Sequence, residues 1–250
     1  MAPNREVRVA AVGDMHFDPQ RKGELRGAFS DMTRQADVLV LCGDLTTHGQ
    51  PEQMEAFVDE LEGVDIPIVS VLGNHDYEGE QGERLCAILT ERGVHVLDGD
   101  GIEIEGIGFA GAKGFGGGFG RWTLGAFGER IYKEFVQAAI DEALKLETAL
   151  RSLQTDTKVA VLHYSPIRET LIGEPEEIFA FLGSSRLLPP LEAYEVNVVF
   201  HGHAHIGTTE AKTPSGIPVY NVAQTLLERE TGSPFRLWTA AAPDRRARAG

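Results

Sequence analysis

Apolar residues in this chain gather into short runs, and each run stops at a polar cluster. Residues 7–12 stop at Gly13-Asp14-Met15-His16, residues 38–42 at Gly43-Asp44, and residues 66–72 at Gly73-Asn74-His75-Asp76. Residues 158–162 stop at His163, and residues 196–200 stop at His201-Gly202-His203-Ala204-His205. Near-continuous β-branched runs of this length read as strands covered on both faces. Helical spacing lies between the early ones. Leu25, Phe29 and Met32 share a face in 24–35, and Met54, Val58 and Leu61 do so after Pro51, which suits a first helical turn. Leu85, Ile88 and Leu89 repeat the pattern in 83–92, and Val136, Ile140 and Leu144 keep step through 129–153. This alternation predicts an α/β fold whose first strands are parallel. Residues 94–97, 102–105 and 107–110 read as short strands split by glycines, which predicts hairpins and a second, partly antiparallel sheet. A further strand is expected at 218–222.

Segment 111–128 holds eight glycines interleaved with Phe115, Phe119, Trp122 and Phe127. It fits neither phosphate-binding glycine pattern and reads as a mobile lid. Residues 1–240 are expected to form a single domain, and 241–250, with Arg245, Arg246 and Arg248 and little apolar support, a disordered tail. Cys42 and Cys86 lie in apolar runs and read as buried free thiols, not as a disulfide framework. With no secretory leader and no run of about 20 apolar residues, the expected compartment is the cytoplasm.

Charge sharpens the picture. The 250 residues carry 23 Lys and Arg against 38 Asp and Glu, a formal charge of −15. Such a surface repels nucleic-acid backbone and anionic lipid, so neither a general nucleic-acid binder nor a membrane-surface protein is expected. It also repels phosphorylated small molecules, so phosphate chemistry would need local cations.

The strand ends supply a place for them. In open α/β sheets ligands sit outside the carboxyl ends of strands, and five strands here deliver Asp, Asn or His at that end. Asp14, His16, Asp44, Asn74, His163, His203 and His205 offer only nitrogen and oxygen donors, which fits Mn, Fe, Co, Zn or Ni and excludes thiolate sites. Seven donors exceed one ion's needs; if one carboxylate bridges, they divide into two sets of four around a metal pair about 3.5–4 Å apart. His201 reads as a buried hydrogen-bonded histidine or an additional ligand. His48 is a candidate for the pocket wall or an exposed loop residue, His95 reads as structural, and Asp18 as a turn residue. Lys113, Arg121, Tyr164 and Arg168 are candidates for gripping a substrate, against the plainer reading of surface residues.

In order along the chain, Gly13-Asp14-Met15-His16, Gly43-Asp44, Gly73-Asn74-His75-Asp76, His163 and Gly202-His203-Ala204-His205 resemble the five motifs of the calcineurin-like metallophosphoesterase superfamily. The resemblance implies a four-layer α/β/β/α sandwich, two mixed sheets packed face to face and flanked by helices. It implies one divalent or transition ion on Asp14, His16, Asp44 and His205. A second would sit on Asp44, Asn74, His163 and His203, with Asp44 shared and Mn, Fe or Zn the expected metals. It further implies that His75, oriented by Asp76, acts at the leaving oxygen while a metal-bridging hydroxide attacks phosphorus. Protein serine/threonine phosphatases of the superfamily differ: Phe17 follows His16, no arginine occurs in 45–50, and Asp76 replaces their glutamate. The chain is more similar to bacterial small phosphodiesterases. The expectation is therefore hydrolysis of a small-molecule or nucleotide phosphodiester, the alternatives being a phosphomonoesterase or a non-catalytic scaffold of the same fold. A small phosphorylated substrate and a possible homodimer complete the expected partners.

Overall fold

A computed structural model describes residues 5–242; the tail expected at 241–250 lies, from residue 243 onward, outside the described residues. The chain runs β1 (Arg5–Val12), α1 (Arg26–Gln35), β2 (Val38–Cys42), α2 (Pro51–Glu60), β3 (Ile68–Val71), α3 (Asn74–Glu78), α4 (Gly82–Glu91) and β4 (His95–Val96). It continues through the hairpin β5 (Gly101–Ile104) and β6 (Ile107–Gly111), then the long helix α5 (Arg130–Ser152) and β7 (Thr157–Val161). Two short helices, α6 (Phe179–Leu182) and α7 (Leu188–Ala193), precede β8 (Val198–His201), β9 (Glu210–Lys212), β10 (Pro218–Asn221), α8 (Gln224–Thr231) and β11 (Arg236–Ala242).

Two mixed sheets result, in the orders β11-β1-β2-β3-β4 and β5-β6-β7-β8-β10-β9. Strands β1 to β4 are parallel, and so are β6, β7, β8 and β10, while β11, β5 and β9 close the edges antiparallel. The period-2 geometry of strands sorts their side chains into three apolar interfaces. Val7, Val9 and Ala11 of β1 join Val40, Phe109, Val161 and Phe200 between the sheets. Ala10 and Val12 face the other way, onto Phe29, Met54 and Leu85 of α1, α2 and α4. Ala160 and Val199 pack outward on Leu146 and Leu150 of α5. The architecture is the expected four-layer α/β/β/α sandwich. Because the parallel strands of both sheets end at the same rim, their carboxyl ends meet there.

Several local expectations change. The strand expected at 66–72 is shorter, since Pro67 has no N–H for the ladder and pairing begins at Ile68. Residues 94–97 contribute only β4, which extends the first sheet parallel to β3 instead of joining the second sheet, and His95 there is exposed. Along α5, Leu144 is 53% exposed; the buried stripe runs through Val136, Ala139, Leu146, Ala149 and Leu150, with alanines where the helix approaches the sheet closely. The glycine-rich segment is not a free lid. Residues 116–119 are buried, with Gly117 N–H bonded to Ala180 O at 2.7 Å and Gly118 N–H to Gly183 O at 3.0 Å. Only its second half, with Trp122 and Phe127, stands in solvent. Both cysteines are free thiols, Cys42 buried and Cys86 partly so. Among the described residues no helix is long and apolar enough to cross a membrane.

Candidate metal centre

Each candidate ligand sits on the first residues after a strand, where the chain turns sharply. Asp14, His16, Asp44 and His203 all hold left-handed backbone (φ 57°, 42°, 49° and 71°). Conformations of this kind cost about 1–3 kcal/mol each in non-glycine residues and persist only where surrounding structure enforces them. The turns enforce one another: Asp14 N–H bonds Gly43 O and His16 N–H bonds Asp44 O, both at 3.0 Å. Gly73 and Gly202 are obligatory beside them. A Cβ on Gly73 would overlap the Asp44 carboxylate, and one on Gly202 the Asp14 carboxylate.

These turns bring the seven candidates together. Asp14, His16 and His205 form one group of donor atoms, and Asp44, His163 and His203 another, each within 4.8 Å; Asp44 also groups with His16 and His75. Asn74 joins the second group, its Oδ1 lying 2.9 Å from His163 Nε2. Asp44 stands between the groups. Its Oδ1 lies 3.4 Å from His163 Nε2 and accepts His75 N–H at 2.8 Å, while Oδ2 faces His16 Nε2 at 3.9 Å. Asp14 accepts the His203 N–H at 2.9 Å, and its Oδ1 is 3.1 Å from His205 Nε2.

The residues fit a cation. Asp44 Oδ2 is buried without a hydrogen-bond partner, a situation that costs a charged oxygen more than about 1–3 kcal/mol unless a cation meets it. Ring orientation is set from behind, as is usual for metal-binding histidines. His163 Nδ1–H donates to Cys42 O at 2.9 Å, which aims Nε2 at Asp44, and His203 Nε2–H donates to Phe181 O at 3.2 Å, which frees Nδ1. Burial opposes charge on His163, but Asp44 outweighs it and lifts the pKa to about 9. Burial likewise works against ionised Asp44, yet His163 and His16 hold it well below the usual carboxylate range. Burial pushes His203 down to about 3, so it presents a neutral ring. Two arginines not singled out from sequence brace the backbone here: Arg21 donates to His16 O at 3.3 Å and Arg229 to His205 O at 3.3 Å.

His75 lies at the edge of the cluster, 4.6 Å ring to ring from His16. Its Nδ1–H donates to Thr47 O at 2.7 Å, leaving Nε2 as the free edge. The expected orientation of His75 by Asp76 is corrected. Asp76 is fully buried, and its oxygens accept Leu45 N–H, Thr46 N–H, Thr46 Oγ1–H and Gly73 N–H at 2.7–3.2 Å. It clasps the loop that carries Thr47 and so acts on His75 at one remove. Glu78, one helical turn after His75, also lies 3.7 Å from His75 Nδ1 and 3.1 Å from His48 Nδ1, placing exposed His48 on the rim.

Among the substrate candidates, Lys113 and Tyr164 adjoin the cluster. The Tyr164 ring is 4.4 Å from that of His203, and Lys113 Nζ lies 5.0–5.6 Å from the ring centres of Tyr77, Phe115 and Tyr164. Arg121 and Arg168 are not brought there. Arg121 stacks on Trp122, and Arg168 pairs with Glu176 and lies over Phe179, both lining a separate depression beyond Phe119. His201 is buried and bonded through both nitrogens, to Gly202 O and Thr170 Oγ1, which leaves it no lone pair for a metal. Asp18 caps a turn, accepting Gln20 N–H.

Comparisons with known proteins bear on the family and the fold. The sequence model of the calcineurin-like phosphoesterase family matches residues 7–207. A probable cyclic nucleotide phosphodiesterase of Synechococcus sp. is 32% identical over 92 residues, 33% of this chain and 34% of that protein. The chain thus aligns with about a third of that relative's length. In fold, the chain resembles a phosphopantetheinyl hydrolase of Mycobacterium tuberculosis, with a TM-score of 0.69 at 15% identity, over 99% of this chain and all of that one. A Thermus thermophilus protein gives 0.53 at 15% identity, over 95% and 99% of the two chains.

Proposed function

The chain belongs to the calcineurin-like phosphoesterase family, and from that premise we propose that it hydrolyses small phosphodiesters with the help of two divalent or transition metal ions. The observation that carries the reading is Asp44, buried between two donor groups with one oxygen toward each. Asp14, His16 and His205 would hold one ion and Asn74, His163 and His203 the other, with Asp44 common to both. Such a pair, when bound, supplies positive charge to a phosphoryl oxygen and an activated water at neutral pH. Mn, Fe and Zn suit the mixed imidazole and carboxylate donors. The protein's own part is positional. His75, pinned through Thr47 O, presents Nε2 where it can meet the leaving oxygen, and Asp76 is a positioning residue for that loop.

Charge favours a diester over a monoester. A monoester brings a second negative charge toward a chain whose own formal charge is −15. The curated Synechococcus relative, a probable cyclic nucleotide phosphodiesterase, supports the same choice. The acidic chain favours a small substrate over a polynucleotide. A scaffold role has less support, because every ligand position of the motifs is filled.

Metal analysis and hydrolysis of bis-p-nitrophenyl phosphate against p-nitrophenyl phosphate, with Mn²⁺, test the proposal. Two ions per chain and faster diester turnover are expected. Asn74→Ala should lose about 100-fold or more of the activity, at or beyond the upper end of what outer-sphere changes cost. No stoichiometric metal, or unchanged activity in Asn74→Ala, would overturn it.

A further inference from the structure

Beside the ligand cluster lies a recess of about 480 Å³, within the range of about 300–1,000 Å³ typical of small-molecule sites. Asn74 and His203 lie at its cluster end, Tyr164, Phe115, Phe135 and Phe181 are its aromatic walls, and Ile178 and Leu182 complete the lining. The rings follow one another around the opening: His203 to Tyr164 at 4.4 Å, Tyr164 to Phe115 at 5.8 Å, Phe115 to Phe135 at 4.9 Å, Phe135 to Phe181 at 6.1 Å. Phe181 O then closes the circle on His203 Nε2–H. The chemistry of the ligand cluster uses none of the three phenylalanines, and Phe181 stays 61% exposed. Apolar surface left open next to a polar centre marks a ligand site more often than a packing fault.

The walls are built in advance. The bond from Gly117 N–H to Ala180 O joins the segment carrying Phe115 to helix α6, which carries Phe181. A Cβ on Gly116 would lie 2.6 Å from Ala180 O and 3.2 Å from Phe181 Cα, so only glycine permits this approach. Glu142 of α5 accepts Gly114 N–H at 2.8 Å and fixes the other end.

We propose that this recess receives a nucleobase on the ester arm of the substrate, held by stacking and not by hydrogen-bond readout of its edge. The inference rests on the phosphodiesterase reading above. Asn74 and His203 belong both to the ligand cluster and to the recess lining, so a phosphoryl group held at the cluster would have its ester arm within reach of the recess. Four aromatic side chains against two aliphatic ones favour a flat group over a branched or linear one. The polar side chains on the lining are few: Asn74 and His203 are committed to the cluster, which leaves Tyr164 alone among the walls, too little to read a base edge. A base stacked there keeps its polar edge in water, and stacking of this kind tolerates every base.

Calorimetry on the Mn²⁺-loaded protein tests this without hydrolysis. Adenosine monophosphate should bind about tenfold or more tighter than ribose 5-phosphate, the gain expected of a single stacked base. Guanosine, cytidine and uridine monophosphates should fall within about fivefold of it, and n-octyl phosphate should bind no better than ribose 5-phosphate. Phe181→Ala, a change at an exposed ring, should erase the base-dependent gain while leaving ribose 5-phosphate binding intact; Phe115→Leu should reduce it. Equal binding of adenosine monophosphate and ribose 5-phosphate, tight binding of n-octyl phosphate, a single favoured base, or an unchanged gain in Phe181→Ala would each overturn the proposal. Diester hydrolysis without a base-dependent gain in binding over ribose 5-phosphate would remove the recess proposal alone, and that gain without hydrolysis would remove the esterase reading alone.

Discussion

Asp44 and His163 define how the protein responds to proton and metal together. Each needs the other's charge: burial disfavours both ions, and their mutual attraction outweighs it, lifting His163 to about 9 and holding Asp44 well down. The folded imidazole therefore binds its proton more tightly than the unfolded one, whose pKa is near 6.5. Its contribution to stability is complete below about pH 6.5 and is lost as pH rises through about 9. Chelator-treated protein should accordingly show a falling urea midpoint between pH 6.5 and 9, and Asp44→Asn should flatten that slope. A native slope equal to that of the variant would show that the pair is not coupled as the geometry requires. The same proton must leave before a metal can take Nε2, so metal affinity should weaken over the acidic part of that window.

At the scale of the element, the loop from Asp44 to Thr47 and the short helix α3 act as one unit because Asp76 clasps them. Four donors converge on this single buried carboxylate, and hydrogen bonds to a charged group contribute about 1.5–3 kcal/mol each in favourable settings. Asp76→Asn leaves one acceptor oxygen and turns an NH₂ toward the former donors. It should cost about 3 kcal/mol in urea denaturation and lower diester turnover through displacement of Thr47 O and His75, with kcat falling more than KM changes. Unchanged stability would mean that the loop is held by other contacts. The sequence made the carriers of this unit legible, since β1, β2, β3, β7 and β8 are apolar runs ending in polar clusters, a signal contained within a few residues. What Asp76 does was not legible, because its partners Leu45 and Thr46 lie about 30 residues away and meet it only after β2 and β3 pair. Short edge pieces were missed or misplaced for a related reason. Strands β9 and β11 pair on one side only, so their residues need not be apolar, and Leu237 is 40% exposed. On α5, Ala139 and Ala149 carry the contact that Leu144 was expected to make, a choice set by how closely the helix approaches the second sheet.

Across the whole molecule, the ligands divide by sheet. Asp14, His16, Asp44 and Asn74 follow strands of the first sheet, and His163, His203 and His205 follow strands of the second. The sheets already touch at this rim through His163 Nδ1–H on Cys42 O, and through Gly13 N–H on Val222 O at 2.9 Å. Two ions held as proposed would tie the layers across their full apolar interface, so metal binding and sheet packing become one equilibrium. The chain's charge of −15 favours cation uptake at every site, but only a site between the layers would stabilise both at once. Mn²⁺ at about 100 times its dissociation constant adds about 2.7 kcal/mol per site to the folded state. For a chain of this size that corresponds to about 5–10 °C in Tm. Hydrogen exchange should slow in β2 and β7 together on loading, because neither can open without breaking a shared ligand set. Protection gained in β2 while β7 stays unchanged would assign the ions to the first sheet alone and remove His163 and His203 from the metal centre.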